Sequence, residues 1–127
     1  SVVSETCDTI GVMYAGELVE MGPIEEVFSD PEHPYTQGLL NAFPSLDESD
    51  DSLVTISGEP PDLSDPPTGC SFYERCPYSE PRCKDQKPDL TQRGDNRAAA
   101  CLVTDDGYNI DEHYEQVMEE TSKWQRL

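Results

Sequence analysis

A small, loop-rich α+β fold is predicted by three features of the sequence. Two short β-prone runs are joined at Ala15-Gly16, two stretches of helical periodicity are fenced by prolines, and a long middle segment has prolines and cysteines but no period. The chain has 127 residues, enough for one modest core. Its 35% hydrophobic content, with 11 prolines and 8 glycines, leaves little to bury and much irregular backbone. A thin core of this kind needs a staple, and the cysteines are the candidates.

The elements follow in order. Residues 10–14 and 17–21 read as a β-hairpin, with Gly16 free to take a positive φ in the turn. Gly22-Pro23 ends the second strand and opens a short helix over residues 23–28, where Glu25 and Glu26 favour the helix N-terminus. Asp30-Pro31 and His33-Pro34 break the chain again. A second helix over 35–43 then presents Tyr35, Leu39, Leu40 and Phe43 at helical spacing, a core face, until Pro44 stops it. His33, at that helix start, reads as a capping or packing residue. Asp47-Glu48-Ser49-Asp50-Asp51 is a solvated hinge without the spacing of a calcium loop. A strand is expected over 53–57, then an extended loop over 58–69 with four prolines. Beyond it, residues 72–75 suit a helical turn, and Pro77, Pro81 and Pro88 act as breakers.

The tail, residues 111–124, spaces Tyr114, Val117, Met118 and Trp124 for an amphipathic helix, with Tyr114 and Trp124 anchoring it, a neighbouring subunit being one seat for them, and His113 solvated. This divides the chain into residues 1–44, residues 45–104 with the cysteines, and an acidic tail, 105–127.

Acidic residues number 27 against 8 basic ones, a formal charge of −19. That excludes a nucleic-acid backbone or an anionic membrane as a direct partner over most of the surface. The carboxylates are spread along the chain rather than gathered in one tail, a pattern expected of a folded protein adapted to high salt and of a haloarchaeal source. No run approaches the ~20 apolar residues of a membrane span. The opening Ser1-Val2-Val3 reads neither as a signal peptide nor as a natural start, but as part of something longer.

Cys70, Cys76, Cys83 and Cys101 form a C-x5-C-x6-C-x17-C quartet, with Cys7 standing apart. Disulfides would require an oxidising compartment and leave one thiol over; Cys7 suits a small buried residue. Zinc usually takes tight C-x2-C or C-x4-C knuckles, which are absent here. An iron–sulfur cluster accepts ligands from widely spaced loops, and Arg75, Arg82, Arg93 and Arg97 are placed to offset its negative charge. Spacing alone leaves all three chemistries open.

The flanking residues add a family resemblance. Cys7-Asp8-Thr9-Ile10, Val12-Met13-Tyr14-Ala15-Gly16 and Leu18-Val19-Glu20 resemble the stretch after the switch histidine in ATP-binding-cassette ATPases. Ile24-Glu25-Glu26-Val27-Phe28, then Pro31-Glu32-His33-Pro34-Tyr35-Thr36 and Leu39-Leu40, are similar to the ATPase subunits of dipeptide and oligopeptide importers. Ile56-Ser57-Gly58-Glu59-Pro60-Pro61-Asp62-Leu63, Pro67-Thr68-Gly69-Cys70-Ser71-Phe72, Arg75-Cys76-Pro77 and Cys83 resemble the C-terminal extension of those subunits. The resemblance spans residues 2–103. Thr9 stands where arginine is usual, Arg97 where histidine is frequent, and the tail beyond Thr104 has no counterpart.

The resemblance implies a cytoplasmic nucleotide-binding subunit, peripheral at the inner face of the cell membrane. Such a subunit hydrolyses ATP with magnesium to drive peptide uptake through two permease subunits, beside a second ATPase subunit. It also implies a 4Fe-4S cluster held by Cys70, Cys76, Cys83 and Cys101, with zinc as the alternative. No nucleic acid is expected as a partner, the membrane enters only through the permeases, and self-association is a further expectation. This stretch carries no G-x-x-x-x-G-K-S/T loop, no Leu-Ser-Gly-Gly-Gln signature and no switch histidine, so it is expected to be catalytically silent alone. The competing hypothesis is a stand-alone zinc or iron–sulfur module with a structural or redox-sensing role.

Overall fold

In a computed structural model, residues 9–42, 54–56, 58, 61, 64, 68–94 and 96–126 are described; Cys7, Phe43 and the acidic run 47–51 lie outside them. Strands β1 (Thr9–Tyr14) and β2 (Glu17–Pro23) pair antiparallel around Ala15-Gly16. Both turn residues are left-handed, Ala15 at φ 52° and Gly16 at φ 79°. A two-residue hairpin loop needs that conformation to match the twist of its strands. Helix α1 (Ile24–Ser29) follows, with Pro23 as its N-cap rather than inside it, and Glu25 and Glu26 in the first turn.

Helix α2 (Pro34–Ala42) opens at Pro34 as the breakers require. Its buried face differs from the expected one. Thr36, Gln37 and Gly38 are buried, whereas Tyr35, Leu39 and Leu40 are half-buried. Two physical reasons account for this. Gln37 donates to the Ile110 carbonyl at 3.2 Å and accepts from the Tyr78 hydroxyl, so a polar side chain is satisfied inside. A Cβ on Gly38 would come within 2.6 Å of Ile56 and 3.1 Å of Trp124, so the helix turns its smallest residue toward its neighbours.

The expected helical turn is a 3₁₀ turn, Tyr73–Arg75. Pro81 does not break structure: it begins helix α3 (Pro81–Asp85), its missing N–H costing nothing in a first turn. A hairpin then appears that the sequence reading did not foresee, β4 (Thr91–Gly94) and β5 (Arg97–Ala99). β5 also pairs with β2, Glu20 opposite Ala99 and Met21 opposite Ala98. One antiparallel sheet therefore runs β1-β2-β5-β4 and joins the N-terminal hairpin to the cysteine segment. Behind the β2–β5 pairing, fully buried Glu20 bonds Arg97 at 2.9 Å and accepts the amides of Glu32 at 2.8 Å and His33 at 3.0 Å. A buried carboxylate is tolerable only with its charge paired and its lone pairs filled, and both conditions are met.

After helix α4 (Leu102–Asp105), helix α5 (Ile110–Glu120) starts at an Asn109 cap whose side chain accepts from the Asp111 and Glu112 amides. The tail helix is thus shorter than expected. Trp124 lies beyond it, in strand β6 (Trp124–Arg126), which pairs antiparallel with β3 (Val54–Ile56). The indole is 1% exposed, so Trp124 anchors the tail as expected, but in this chain's own core and not on a neighbouring subunit. His113 is half-buried, stacked on Tyr108 at 4.4 Å rather than solvated.

Phe72 is the hub of the core. Its ring meets Tyr14, Tyr35, His33 and Trp124 at centroid separations of 5.1, 5.4, 5.9 and 6.4 Å. Edge-to-face aromatic pairs of this kind add roughly 0.5–1.5 kcal/mol each beyond area burial. Val19, Cys76, Tyr78 and Ile110 complete the buried members of this cluster. Among the described residues, no helix is long and apolar enough to cross a membrane.

Candidate functional site

The four cysteines reach one place from four local structures. Cys70 precedes the 3₁₀ turn and Cys76 follows it, Cys83 sits in α3, and Cys101 leads into α4. Gly69 permits the approach of Cys70 to α3: a Cβ there would lie 2.3 Å from the Lys84 carbonyl oxygen and 2.4 Å from that of Cys83. With hydrogen alone at that position, the Cys70 amide donates to the Cys83 carbonyl at 2.8 Å. All four thiols are free, and all four line one small, almost wholly apolar cavity of ≈ 10 Å³, with room for about one water-sized sphere. Cys76, Cys83 and Cys101 are buried, and Cys70 is half-buried.

Cys70 alone among them also lines a second, larger cavity of ≈ 340 Å³. The Glu17–Lys87 ion pair borders that cavity, with Ser71 donating to Glu17. His33 lines both cavities. It is 1% exposed, its Nδ1 accepts the Tyr35 amide at 3.0 Å, and burial lowers its pKa to about 3, the Arg93 charge adding to the effect. It is therefore a neutral ring that caps α2, which agrees with the capping or packing role expected of it.

Burial pushes the Cys70 thiol up to about 11, Cys76 well above the ordinary thiol range, and Cys101 upward as well. Their neighbouring thiols act in the same direction on Cys70 and Cys76. Opposing that trend, nearby backbone amides favour the thiolate form. The Phe72 amide favours the Cys70 thiolate, Tyr78 that of Cys76, and Val103 with Thr104 that of Cys101. On Cys101 they act as dipoles, without a formed cap bond, and the Thr104 hydroxyl donates instead to the Glu32 carbonyl at 2.8 Å. The Glu80 amide donates to the Cys83 sulfur at 3.5 Å. The surrounding amides thus favour a negative charge on sulfur, while burial acts the other way.

In kind and number the donors fit a four-thiolate centre, whether iron–sulfur or zinc. Their spacing is another matter: among the described residues no group of three or more His, Cys, Asp or Glu side chains is arranged to hold a metal ion.

The arginines separate on inspection. Arg75 donates to the Tyr14 hydroxyl, Arg82 pairs with Glu80 and Asp106, and Arg97 serves Glu20. Arg93 alone bonds the backbone of a cysteine, donating to the Cys101 carbonyl at 2.9 Å. The sequence reading missed Lys123, whose ammonium reaches the Cys76 carbonyl at 3.1 Å from the far end of the chain.

Fold and site define a small α+β module, two antiparallel sheets and short helices closed around a nest of free thiols. Comparison with known proteins supplies the family. Residues 19–83 match the family described as the oligopeptide/dipeptide transporter, C-terminal region, and the chain belongs to it. It is 42% identical over 104 residues to the dipeptide transport ATP-binding protein of Bacillus subtilis, covering 82% of this chain and 31% of that protein. Against the oligopeptide transport ATP-binding protein of Escherichia coli the identity is 44% over 101 residues, 80% of this chain and 30% of that one. A putative peptide import ATP-binding protein of Brucella abortus is 46% identical over 100 residues, 79% of this chain and 30% of its own length. The chain spans about a third of the length of these relatives.

Proposed function

We propose that this chain is the accessory C-terminal region of the ATP-binding subunit of a peptide importer, and that its cysteines hold a 4Fe-4S cluster as the staple of a loop-rich domain. The transport reading rests on the family match and on relatives named for dipeptide, oligopeptide and peptide import. In that setting the whole subunit sits at the cytoplasmic face of the membrane, beside a second ATPase subunit, and couples ATP hydrolysis to uptake through the permeases.

The observation that carries the cluster is the gathering of the quartet: four free thiols lining one cavity, with the Glu80 amide donating to the Cys83 sulfur and nearby amides favouring the thiolate form of the other three. Amide dipoles of that kind are wasted on neutral thiols and stabilise thiolates. When bound, the cluster supplies cross-links between the 3₁₀ turn, α3 and α4, with redox chemistry in reserve. The chain's own part is to present the four sulfurs, surrender their protons and exclude water through the Phe72 core.

Anaerobic purification tests the reading. The expected product is brown, with about four iron and four sulfide per chain, and Cys83→Ser or Cys101→Ser loses the colour. A colourless protein holding one tight zinc per chain overturns the cluster and leaves a structural zinc site. A protein with neither metal overturns the centre altogether.

A further inference from the structure

We propose that Arg93 and Lys123 are the counter-charges of the four-cysteine centre, Arg93 acting at Cys101 and Lys123 at Cys76. This rests on the reading of the quartet as a thiolate site and assigns a role to the tail, which lies beyond the stretch that the family match covers.

Four thiolates carry more negative charge than any of the metal groups they hold can cancel, so cations in the outer shell stabilise such a site. Most basic side chains near this one are already neutralised: Arg82 by two carboxylates, Arg97 by Glu20 and Asp30, Lys87 by Glu17. Arg93 and Lys123 differ in three ways. Neither has a carboxylate within ion-pair distance among the described residues. Both are partly withdrawn from solvent. Each donates to a carbonyl of one of the four cysteines, Arg93 to Cys101 at 2.9 Å and Lys123 to Cys76 at 3.1 Å.

Arg93 also keeps its Nε buried without a hydrogen-bond partner. A buried guanidinium N–H left unmatched is costly, and here it belongs to a cation beside the thiol nest. Lys123 is held in place by the Tyr73 carbonyl at 3.4 Å and the Ser79 hydroxyl at 3.2 Å, and by Trp124, whose indole donates to the Arg75 carbonyl at 2.7 Å. The tail therefore delivers a charge to the loop that carries Cys76. Both are positioning residues: neither touches the metal, and each acts through a ligand cysteine and the local field.

Cobalt(II) titration of the full chain under anaerobic conditions, read from thiolate-to-cobalt charge-transfer absorption, tests this. Arg93→Met and Lys123→Met are each expected to weaken cobalt binding about tenfold, the lower end of what an outer-shell partner is worth, and the double variant about a hundredfold. Arg93→Lys and Lys123→Arg keep the charge and should stay near wild type, which a purely structural clamp would not allow. Lys87→Met, which removes the same charge from an ion pair elsewhere, is the control and should bind normally. Cobalt binding by the wild type with unchanged affinity in both neutral variants, or equal loss in the charge-keeping ones, overturns the counter-charge role alone. No cobalt binding by the wild type overturns this role, while the iron and sulfide content of the anaerobically purified protein decides the centre itself.

Discussion

His33 shows how much one side chain can do by staying neutral. It caps α2 by accepting the Tyr35 amide, packs its ring against Phe72 and lies on the wall between the thiol cavity and the larger one. Burial is the main reason its pKa falls from 6.5 to about 3, and the Arg93 charge lowers it further. A histidine depressed in the folded state binds fewer protons there than in the unfolded chain between those two values. Its contribution is therefore complete above about pH 6.5 and is lost as pH falls toward 3, at up to about 1.4 kcal/mol per pH unit. His33→Asn keeps a capping acceptor and removes the titration. The expected outcome is a stability–pH profile between pH 6.5 and 4 that is shallower than wild type by that slope, measured by urea unfolding. Parallel profiles for the two proteins would show that His33 does not titrate on unfolding in this range.

Among the elements, β6 contributes most for its size. Three residues pair with β3 and bring in Trp124, whose ring contacts Phe72 and Tyr78 and whose N–H caps the Arg75 carbonyl. Trp124→Ala is expected to cost about 3–5 kcal/mol, seen as a lower denaturant midpoint and lost near-ultraviolet dichroism. A change below 1 kcal/mol would mean that β6 is not part of the cooperative core. Elements with strong local signals were legible in the sequence: the first hairpin from Ala15-Gly16, α1 and α2 from their prolines, α5 from its periodicity. β4, β5 and β6 were not. Their residues are short and mostly polar or small, and they become strands only because β2 and β3 offer partners, a tertiary effect invisible to local propensity. The site divides in the same way. The cysteines stood out as a quartet whose chemistry spacing left open, but Lys123 meets Cys76 across 47 positions, and no local pattern announces such a contact. The α2 face was misread because an amphipathic count takes leucines as core, and here a satisfied glutamine and a glycine occupy that side.

Over the whole molecule, a charge of −19 on 127 residues sets carboxylate against carboxylate across the surface. Such self-repulsion opposes the compact state and weakens as salt shortens the Debye length from about 10 Å at 0.1 M to about 3 Å at 1 M. Stability should therefore rise with potassium chloride. Helix α5 gives that expectation a local handle. Its last turn carries no basic residue, and Glu119 and Glu120, both exposed, stand at the negative end of the helix dipole. Glu119→Lys and Glu120→Lys exchange repulsion for attraction there and should each add about 0.3–1 kcal/mol in dilute buffer. In about 2 M potassium chloride that gain should vanish, since screening has by then removed the repulsion the substitutions relieve. Thermal melts of wild type and both variants across the salt series decide the matter. A melting temperature of the wild type that does not climb with salt, or a lysine gain that persists at high salt, would assign the acidic surface to something other than charge balance.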